Sequence, residues 1–119
     1  MCGIAGIISL DGSNVANGSV RVQKMLANMS YRGPDGSGIY IDDTEKVVLG
    51  NNRLAITDPS YKFNGPLVLE NNNLVMSFNG EIYDYIEKRA YLKNKGISIR
   101  CNTDTEVLMQ GIKNKGINF

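Results

Sequence analysis

The chain opens, directly after Met1, with Cys2-Gly-Ile-Ala-Gly-Ile-Ile-Ser9, a short apolar run that contains two glycines. Its β-branched isoleucines favour an extended backbone, and a continuous apolar run of this length is typical of a buried strand. Glycines within a strand leave room for another backbone to come close. We therefore predict that the chain begins with a buried strand, at whose start Cys2 lies.

The remainder of the chain combines further strands with helices. Apolar residues at helical spacing predict a helix over residues 19–31, followed by a loop at Arg32-Gly-Pro-Asp-Gly-Ser-Gly38. Residues 39–41 and 46–49 have the pattern of a hairpin joined at Asp42-Asp43-Thr44. The other predicted strands cover residues 53–57, 67–69, 74–78 and 97–100, and the other predicted helices cover residues 83–95 and 103–115. The sum is an α+β fold with most of its strands in the first two thirds of the chain.

Composition and charge exclude several classes of protein. The chain has 119 residues, 13 basic and 12 acidic side chains and a net charge of +1. It therefore has no strong electrostatic field for nucleic acid or for an anionic membrane. Its longest apolar stretches are shorter than ten residues, too short for a membrane span or a secretory signal. We expect one soluble cytoplasmic domain with no nucleic-acid partner and no membrane partner.

The lack of histidine restricts the chemistry further. The chain has no histidine and two cysteines, Cys2 and Cys101. This excludes the His-based dyads and triads that usually activate a Ser or Cys nucleophile, and it argues against a disulfide framework or a zinc site. We predict no metal site, and any nucleophile in this chain needs a base of another kind.

Cys2 is a candidate nucleophile because of its position. A small second residue permits removal of Met1, which would leave a thiol and a free α-amine on the same residue. Amines of this type and thiols ordinarily titrate within about one pH unit of each other, so the amine can accept the thiol proton. An N-terminal amine that serves as the base needs no histidine. The alternative interpretation is a small, inert cysteine buried in a strand.

The segment Phe78-Asn79-Gly80-Glu81 also has two interpretations. It offers an amide side chain beside a backbone N–H that no Cβ hinders, and two such donors can bind the oxyanion of a tetrahedral intermediate. However, Asn-Gly between apolar runs is also the leading signal for a two-residue hairpin turn.

Charged residues give further candidates. Arg53, at the head of the predicted strand 53–57, suits a substrate carboxylate that a guanidinium binds in two places, but an ordinary surface arginine is the alternative. Thr103-Asp-Thr-Glu106 has the sequence pattern of a helix capping box. Asp104 within it suits the helix dipole and is also a candidate for binding a substrate ammonium. For the Arg32-Gly-Pro-Asp35 loop, a turn with a surface ion pair is an equally good interpretation, and Cys101 is interpreted as structural or incidental.

Five blocks of sequence, taken together, resemble class II glutamine amidotransferase domains. The sequence is most similar to the glutaminase domain of glutamine-hydrolysing asparagine synthetases, and the resemblance runs from Cys2 to the end of the chain. The blocks are, in order, Cys2-Gly-Ile-Ala-Gly6, Arg32-Gly-Pro-Asp35, Arg53-Leu-Ala-Ile56, Phe78-Asn-Gly-Glu-Ile-Tyr83 and Thr103-Asp-Thr-Glu106.

The resemblance implies a fold and a length. The fold is the N-terminal-nucleophile hydrolase sandwich, an αββα arrangement of two antiparallel sheets between helical layers. Because domains of this family continue well beyond 119 residues, residues 1–119 are expected to be the N-terminal part of a truncated domain. Two departures are visible. Asn51-Asn52 stand where relatives commonly carry a histidine, and Gly65-Pro66 stand where relatives often have Gln-Pro.

The resemblance also implies a reaction and its residues. Cys2 attacks the side-chain amide of L-glutamine and forms a thioester, while Asn79 and the Gly80 N–H hold the oxyanion. Arg53 binds the substrate α-carboxylate, and the carboxylates of Glu81 and Asp104 bind the substrate α-ammonium. Backbone groups of Leu54, Ile56 and Thr57 line the pocket for the side-chain amide.

The ammonia is expected to pass to an ATP-dependent synthetase domain of the same full-length chain, which makes asparagine. The glutaminase part needs no cofactor, whereas ATP and Mg²⁺ belong to the synthetase domain. A homodimer is a further expectation. The alternatives are an amidotransferase for another acceptor, such as a cell-surface sugar, and an inactive glutamine-binding fragment.

Overall fold

The fold combines two antiparallel sheets with three main helices. The computed structural model describes residues 1–55, 64–69 and 74–119. Within these ranges the strands are β1 (Gly3–Ile8), β2 (Gly36–Ile41), β3 (Val47–Arg53), β4 (Leu67–Leu69) and β5 (Leu74–Met76). The helices are α1 (Gly18–Asn28), α2 (Tyr85–Asn94) and α3 (Asp104–Lys115), with short 3₁₀ turns at Ser30–Arg32 and Gly116–Asn118. The predicted α+β class with antiparallel sheets is confirmed.

The first sheet has the order β1-β3-β2, and α1 packs on one of its faces. The core of this half consists of Val22 and Leu26 from the helix and Val48 from the central strand. Gly50 lies in that strand opposite the helix, and a Cβ placed there would lie 2.5 Å from Cγ1 of Val22. The helix therefore approaches the sheet this closely because the strand has no side chain at that point.

The second sheet pairs β4 with β5, and α3 packs against both strands. Leu67 and Leu69 alternate inward along β4, as expected for a strand with one buried face, and they contact the fully buried Met109 of α3. On its other side α3 packs against α2.

Several contacts among the described residues join the halves. Gly38 of β2 and Gly65 meet backbone to backbone, and a Cβ on Gly38 would lie 2.5 Å from the Cα of Gly65. The hydroxyl of Ser77, just after β5, donates a hydrogen bond to the carbonyl oxygen of Gly50 at 3.3 Å. The end of β5 is thereby fixed to the centre of the first sheet.

The predicted hairpin of residues 39–41 and 46–49 is confirmed, because β2 and β3 pair antiparallel. The prediction of a separate strand over residues 53–57 is wrong: one strand runs from Val47 to Arg53, and Arg53 is its last residue rather than the head of another strand. Gly50, Asn51 and Asn52 have low strand propensity, but β1 and β2 pair with β3 on both sides, which overrides that preference. Residues 56 and 57 lie outside the described residues.

Residues 97–100 are not a strand either. The backbone N–H of Arg100 donates to the carboxylate of Glu106 at 2.9 Å, so a side chain takes the place of a strand partner there.

The predicted helices are confirmed with shifted bounds. The first ends at Asn28 because residues 30–32 form a 3₁₀ turn, and the second begins at Tyr85 rather than at residue 83. The third begins as predicted, with the hydroxyl of Thr103 accepting the N–H of Glu106 at 3.3 Å. In the described part of the chain, none of the helices has the length and apolarity to cross a membrane.

Candidate functional site

A cavity of about 350 Å³ lies where the ends of β1 and β3 meet the segment after β5 and the first turn of α3. Pockets for small molecules usually have volumes of about 300–1,000 Å³, so its size suits an amino-acid ligand. Two residues predicted for the site, Ile56 and Thr57, lie outside the described residues. The others all line the cavity: Cys2, Arg53, Leu54, Asn79, Gly80, Glu81 and Asp104.

Cys2 lies one residue before β1 and is half-buried. Its Sγ accepts a hydrogen bond from the backbone N–H of Leu54 at 3.4 Å and lies 3.9 Å from the Leu54 carbonyl oxygen. The sulfur therefore lies among polar backbone groups at the cavity wall, and it is not enclosed in an apolar core as the alternative interpretation required. Met1 also lines the cavity, so its removal would leave the new α-amine at the same place.

Asn79 and Gly80 lie between β5 and α2, with both residues exposed at the cavity. The hairpin interpretation is wrong, because the chain continues into α2 rather than into a strand that pairs with β5. A Cβ on Gly80 would lie 2.7 Å from the ring of Phe78, so a side chain at this position would have to displace the ring. The Gly80 backbone thus stays unhindered where a ligand can approach it.

The charged side chains divide the cavity by sign. Arg53, at the end of β3, is 8% exposed, so the interpretation as a surface arginine is wrong. Its Nη1 lies 3.5 Å from Oδ1 of Asn64. Glu81 and Asp104 supply carboxylates, of which Glu81 is exposed and Asp104 is 7% exposed. One guanidinium and two carboxylates match the two charges of a free α-amino acid.

The first turn of α3 is held by an unusual set of hydrogen bonds. Thr103 caps the helix, but the carboxylate of Glu106 does not complete a capping box. Instead it accepts the backbone N–H groups of Arg100 at 2.9 Å and Cys101 at 2.7 Å. Burial raises the pKa of Glu106, but these hydrogen bonds and those from the side chains of Arg100 and Cys101 outweigh it, and the net pKa is lowered. Glu106 is therefore ionised and fixed.

Cys101 has the structural role predicted for it. It is buried, and its Sγ lies 3.0 Å from the hydroxyl oxygen of Thr103. Burial raises the pKa of the Cys101 thiol, and the neighbouring Glu106 raises it further. Both effects disfavour the thiolate, which is the reactive form.

The loop Arg32–Asp35 was interpreted as a turn with a surface ion pair, and that interpretation is wrong. Nε of Arg32 donates to the carbonyl oxygen of Cys2 at 3.2 Å. The carboxylate of Asp35 accepts the N–H of Ala55 at 2.8 Å, and its own N–H donates to the carbonyl oxygen of Arg53 at 3.0 Å. The loop thus ties the nucleophile candidate to the end of β3, a role that the sequence did not indicate.

Asn51 is a cavity residue that the sequence pattern did not indicate. It stands two residues before Arg53 on β3, and its buried Oδ1 has no hydrogen-bond partner among the described residues. Alternation along one continuous strand places positions 51 and 53 on the same face, a signal that was lost when the strand was divided in two. Among the described residues no group of three or more Cys, Asp or Glu side chains could hold a metal ion.

Comparison with known proteins gives a consistent result. The family model described as glutamine amidotransferase domain matches residues 1–119. The chain is similar to asparagine synthetase (glutamine-hydrolysing) 1 of Arabidopsis thaliana, with 34% identity over 119 residues that cover 100% of the chain and 19% of that protein. It is similar to asparagine synthetase (glutamine-hydrolysing) 2 of Bacillus subtilis, with 38% identity over 122 residues, 100% of the chain and 15% of that protein.

A third relative, amidase chry2 of Gibberella zeae, is 33% identical over 127 residues, which cover 100% of the chain and 19% of that protein. The chain therefore spans 15–19% of the length of these relatives. No solved structure gives a significant match.

Proposed function

The chain belongs to the glutamine amidotransferase domain family, and from this premise we propose that it hydrolyses L-glutamine to glutamate and ammonia with Cys2 as the nucleophile. The ammonia passes to an ATP-dependent synthetase domain of the full-length protein, which uses it to make asparagine. One observation carries the proposal: the Cys2 thiol, the Asn79–Gly80 donors and charges of both signs line a single cavity. The asparagine synthetases among the relatives support the choice of product.

The first chemical step requires that Met1 has been removed. The free α-amine of Cys2 accepts the thiol proton, and the sulfur attacks the side-chain amide carbon of glutamine, forming the S–C bond. The oxyanion that develops accepts hydrogen bonds from the side-chain amide of Asn79 and the backbone N–H of Gly80. Such donors act most strongly on the transition state, and the loss of one costs about 10²–10³ in rate in a well-studied hydrolase.

The second step releases ammonia and then glutamate. The tetrahedral intermediate collapses, the C–N bond breaks, and the proton held by the α-amine goes to the leaving nitrogen. Water then attacks the thioester carbon, giving one proton back to the sulfur, and the S–C bond breaks. The product is glutamate, and the free enzyme is restored.

Recognition of glutamine depends on its two backbone charges. The guanidinium of Arg53 binds the α-carboxylate, and the carboxylates of Glu81 and Asp104 bind the α-ammonium. Backbone groups from Leu54 to Thr57 contact the side-chain amide. Hydrogen bonds to charged groups contribute about 1.5–3 kcal/mol each, and an analogue that lacks either charge loses the hydrogen bonds which that charge would make.

We further propose that the complete domain is an αββα sandwich. The packing of α1 on one sheet and of α3 on the other supports this arrangement, as do the Gly38–Gly65 and Ser77–Gly50 contacts between the halves. The synthetase domain, with its ATP and Mg²⁺, lies outside these 119 residues. Cytoplasmic location and homodimer formation belong to the same proposal.

Glutamate release, measured with protein whose Met1 has been removed, tests the function. Cys2→Ala is expected to reduce kcat by at least about 10³-fold, because it removes the nucleophile. Cys101→Ala is the matched control and is expected to keep activity close to that of the wild type, since its thiol lies away from the cavity lining. Comparable glutamate release by Cys2→Ala and the wild type would refute the proposal.

A second experiment tests whether the α-amine of Cys2 accepts the thiol proton. A variant that retains Met1 is expected to lose turnover, because its Cys2 nitrogen is then a peptide nitrogen with no basic lone pair. Full activity of the Met1-containing protein would show that another group acts as the base.

A further inference from the structure

The first turn of α3 carries two buried carboxylates, and each binds the backbone of a segment outside the helix. Asp104 is 7% exposed and Glu106 is fully buried. Removing a carboxylate from water is costly unless hydrogen bonds compensate it. Both side chains therefore need the partners that they have, and those partners become fixed in return.

Glu106 fixes the first turn of α3 with respect to the second sheet. Besides the two backbone N–H groups already described, its Oε1 accepts Nε of Arg100 at 3.3 Å. The same guanidinium donates through Nη2 to the carbonyl oxygen of Val68 in β4 at 3.0 Å. A continuous set of hydrogen bonds thus runs from β4 through Arg100 to the helix turn that carries Asp104.

Asp104 extends this set of bonds to the Asn79–Gly80 segment. Its Oδ2 accepts the backbone N–H of Ile82 at 3.1 Å. Ile82 is two residues beyond Gly80, and its carbonyl oxygen accepts the N–H of Tyr85 in the first turn of α2. Residue 82 is therefore held by Asp104 on one side and by the start of α2 on the other.

We propose that Asp104 is a positioning residue for the two oxyanion donors, Asn79 and Gly80, as well as a ligand of the substrate ammonium. Oδ2 holds Ile82 and thereby the segment that presents the donors. Oδ1, which accepts the hydroxyl of the neighbouring cavity residue Thr105 at 3.5 Å, is the oxygen left to bind the substrate ammonium. This inference deepens the proposed glutaminase function and rests on it. It implies that binding and chemistry depend on the same side chain through different atoms.

Two substitutions of Asp104 separate these roles. Asp104→Asn keeps an acceptor oxygen for Ile82 but loses the negative charge. We expect its KM for glutamine to rise about tenfold or more, with kcat within about twofold of the wild type. Asp104→Ala loses both, so its KM should rise similarly and its kcat should fall about tenfold to a hundredfold, because misplaced donors stabilise the oxyanion poorly.

A kcat that is kept in Asp104→Asn but lost in Asp104→Ala is the result that a purely structural role of Asp104 would not give. Equal kcat values for Asp104→Asn and Asp104→Ala would overturn the inference. Asp84→Asn and Asp84→Ala are the matched controls, since Asp84 lies two residues after Ile82, is largely exposed and, among the described ion pairs, contacts Lys88 at 3.5 Å. If Asp104→Ala does not fold, Asp104→Ser, which is too short to reach Ile82, replaces it in the comparison.

Amide hydrogen exchange at Ile82, followed by NMR, decides the positioning role without turnover. Asp104→Ala is expected to speed the exchange of the Ile82 amide by at least about tenfold relative to Asp104→Asn. Unchanged exchange would overturn the inference even if glutamine is hydrolysed. If the wild type releases no glutamate but the Ile82 amide still exchanges faster in Asp104→Ala, the proposed function alone is refuted.

Discussion

The two sides of the cavity are held in place by different interactions. On one side, Cys2 and Arg53 lie at the ends of β1 and β3, where the backbone ladder of a three-stranded sheet sets their positions. On the other side, the segment 79–82 and Asp104 lie outside the two sheets, and backbone N–H groups that donate hydrogen bonds to buried carboxylates position them.

This difference predicts how each side responds to substitution. The hydrogen bonds of a sheet join backbone atoms, so most side-chain substitutions leave them intact. They are disturbed mainly where an added Cβ has no room. A carboxylate that binds several N–H groups depends on a single side chain, so one substitution removes all of its bonds.

The largest effect on stability is expected on the carboxylate side, at Glu106. Glu106→Ala leaves the buried N–H of Cys101 and the partly buried N–H of Arg100 without acceptors, and such a loss costs about 1–3 kcal/mol for each group. We expect the free energy of unfolding in urea to fall by about 2–5 kcal/mol. Glu87→Ala, at an exposed position in the first turn of α2, should change it by less than about 0.5 kcal/mol.

The pH dependence of unfolding provides a second measurement for Glu106. Because its pKa is lower in the folded state than the ordinary value of 4.5, its ionised form stabilises the fold above pH 4.5. That contribution is lost as the pH falls below 4.5 toward the folded-state pKa. The stability of Glu106→Gln should therefore fall less steeply than that of the wild type over this acidic range, and parallel curves would contradict the assignment.

The sequence predicted the elements that local pattern determines and missed those that distant partners determine. The strand at Gly3–Ile8 and the helix Asp104–Lys115 follow from their own apolar pattern and cap. The strand Val47–Arg53 was divided because Gly50 and the two asparagines give no local strand signal, and only pairing on both sides makes it continuous.

The candidate site shows the same limit. Cys2, Asn79 and Asp104 are far apart in the sequence, and no spacing rule brings them together. The chemistry of each residue made it a candidate, but only the family resemblance joined the three into one site. Arg32 and Asp35 were misinterpreted because their partners are backbone atoms, which leave no mark in a sequence. Backbone contacts of this kind become visible only in three dimensions.

An intermediate effect is expected where the two halves meet, at Gly38 and Gly65. A Cβ on Gly38 would lie 2.5 Å from the Cα of Gly65, and backbone at that distance has to shift. In the reverse case, a Cβ on Gly65 would lie 3.1 Å from the Cα of Gly38, a contact that a small movement relieves. We expect Gly38→Ala to lower the free energy of unfolding by about 1–3 kcal/mol.

Gly65→Ala is the matched control and is expected to cost less than about 1 kcal/mol. Thermal or urea unfolding of both variants measures the difference. Equal losses of stability would mean that the halves are free to move apart and that this contact does not set their spacing.

The smallest effects should distinguish the two faces of β3 at the neighbouring residues Asn51 and Asn52, which look alike in the sequence. Nδ2 of Asn52 donates to the carbonyl oxygen of Leu26 near the end of α1 at 2.7 Å, whereas the buried Oδ1 of Asn51 has no partner among the described residues. Asn52→Leu removes this hydrogen bond and leaves the Leu26 carbonyl with that from the backbone N–H of Met29 at 3.1 Å, so we expect a loss of about 1 kcal/mol in urea unfolding.

Asn51→Leu removes a polar atom that has no compensating hydrogen bond and replaces it with an apolar group of similar size. Such a replacement is close to neutral or stabilising, so stability should stay within about 0.5 kcal/mol of the wild type or rise. Unchanged or higher stability would indicate that Asn51, which lines the cavity with Arg53, serves the ligand rather than the fold. A loss at Asn51 as large as that at Asn52 would show instead that both faces of the strand serve the core.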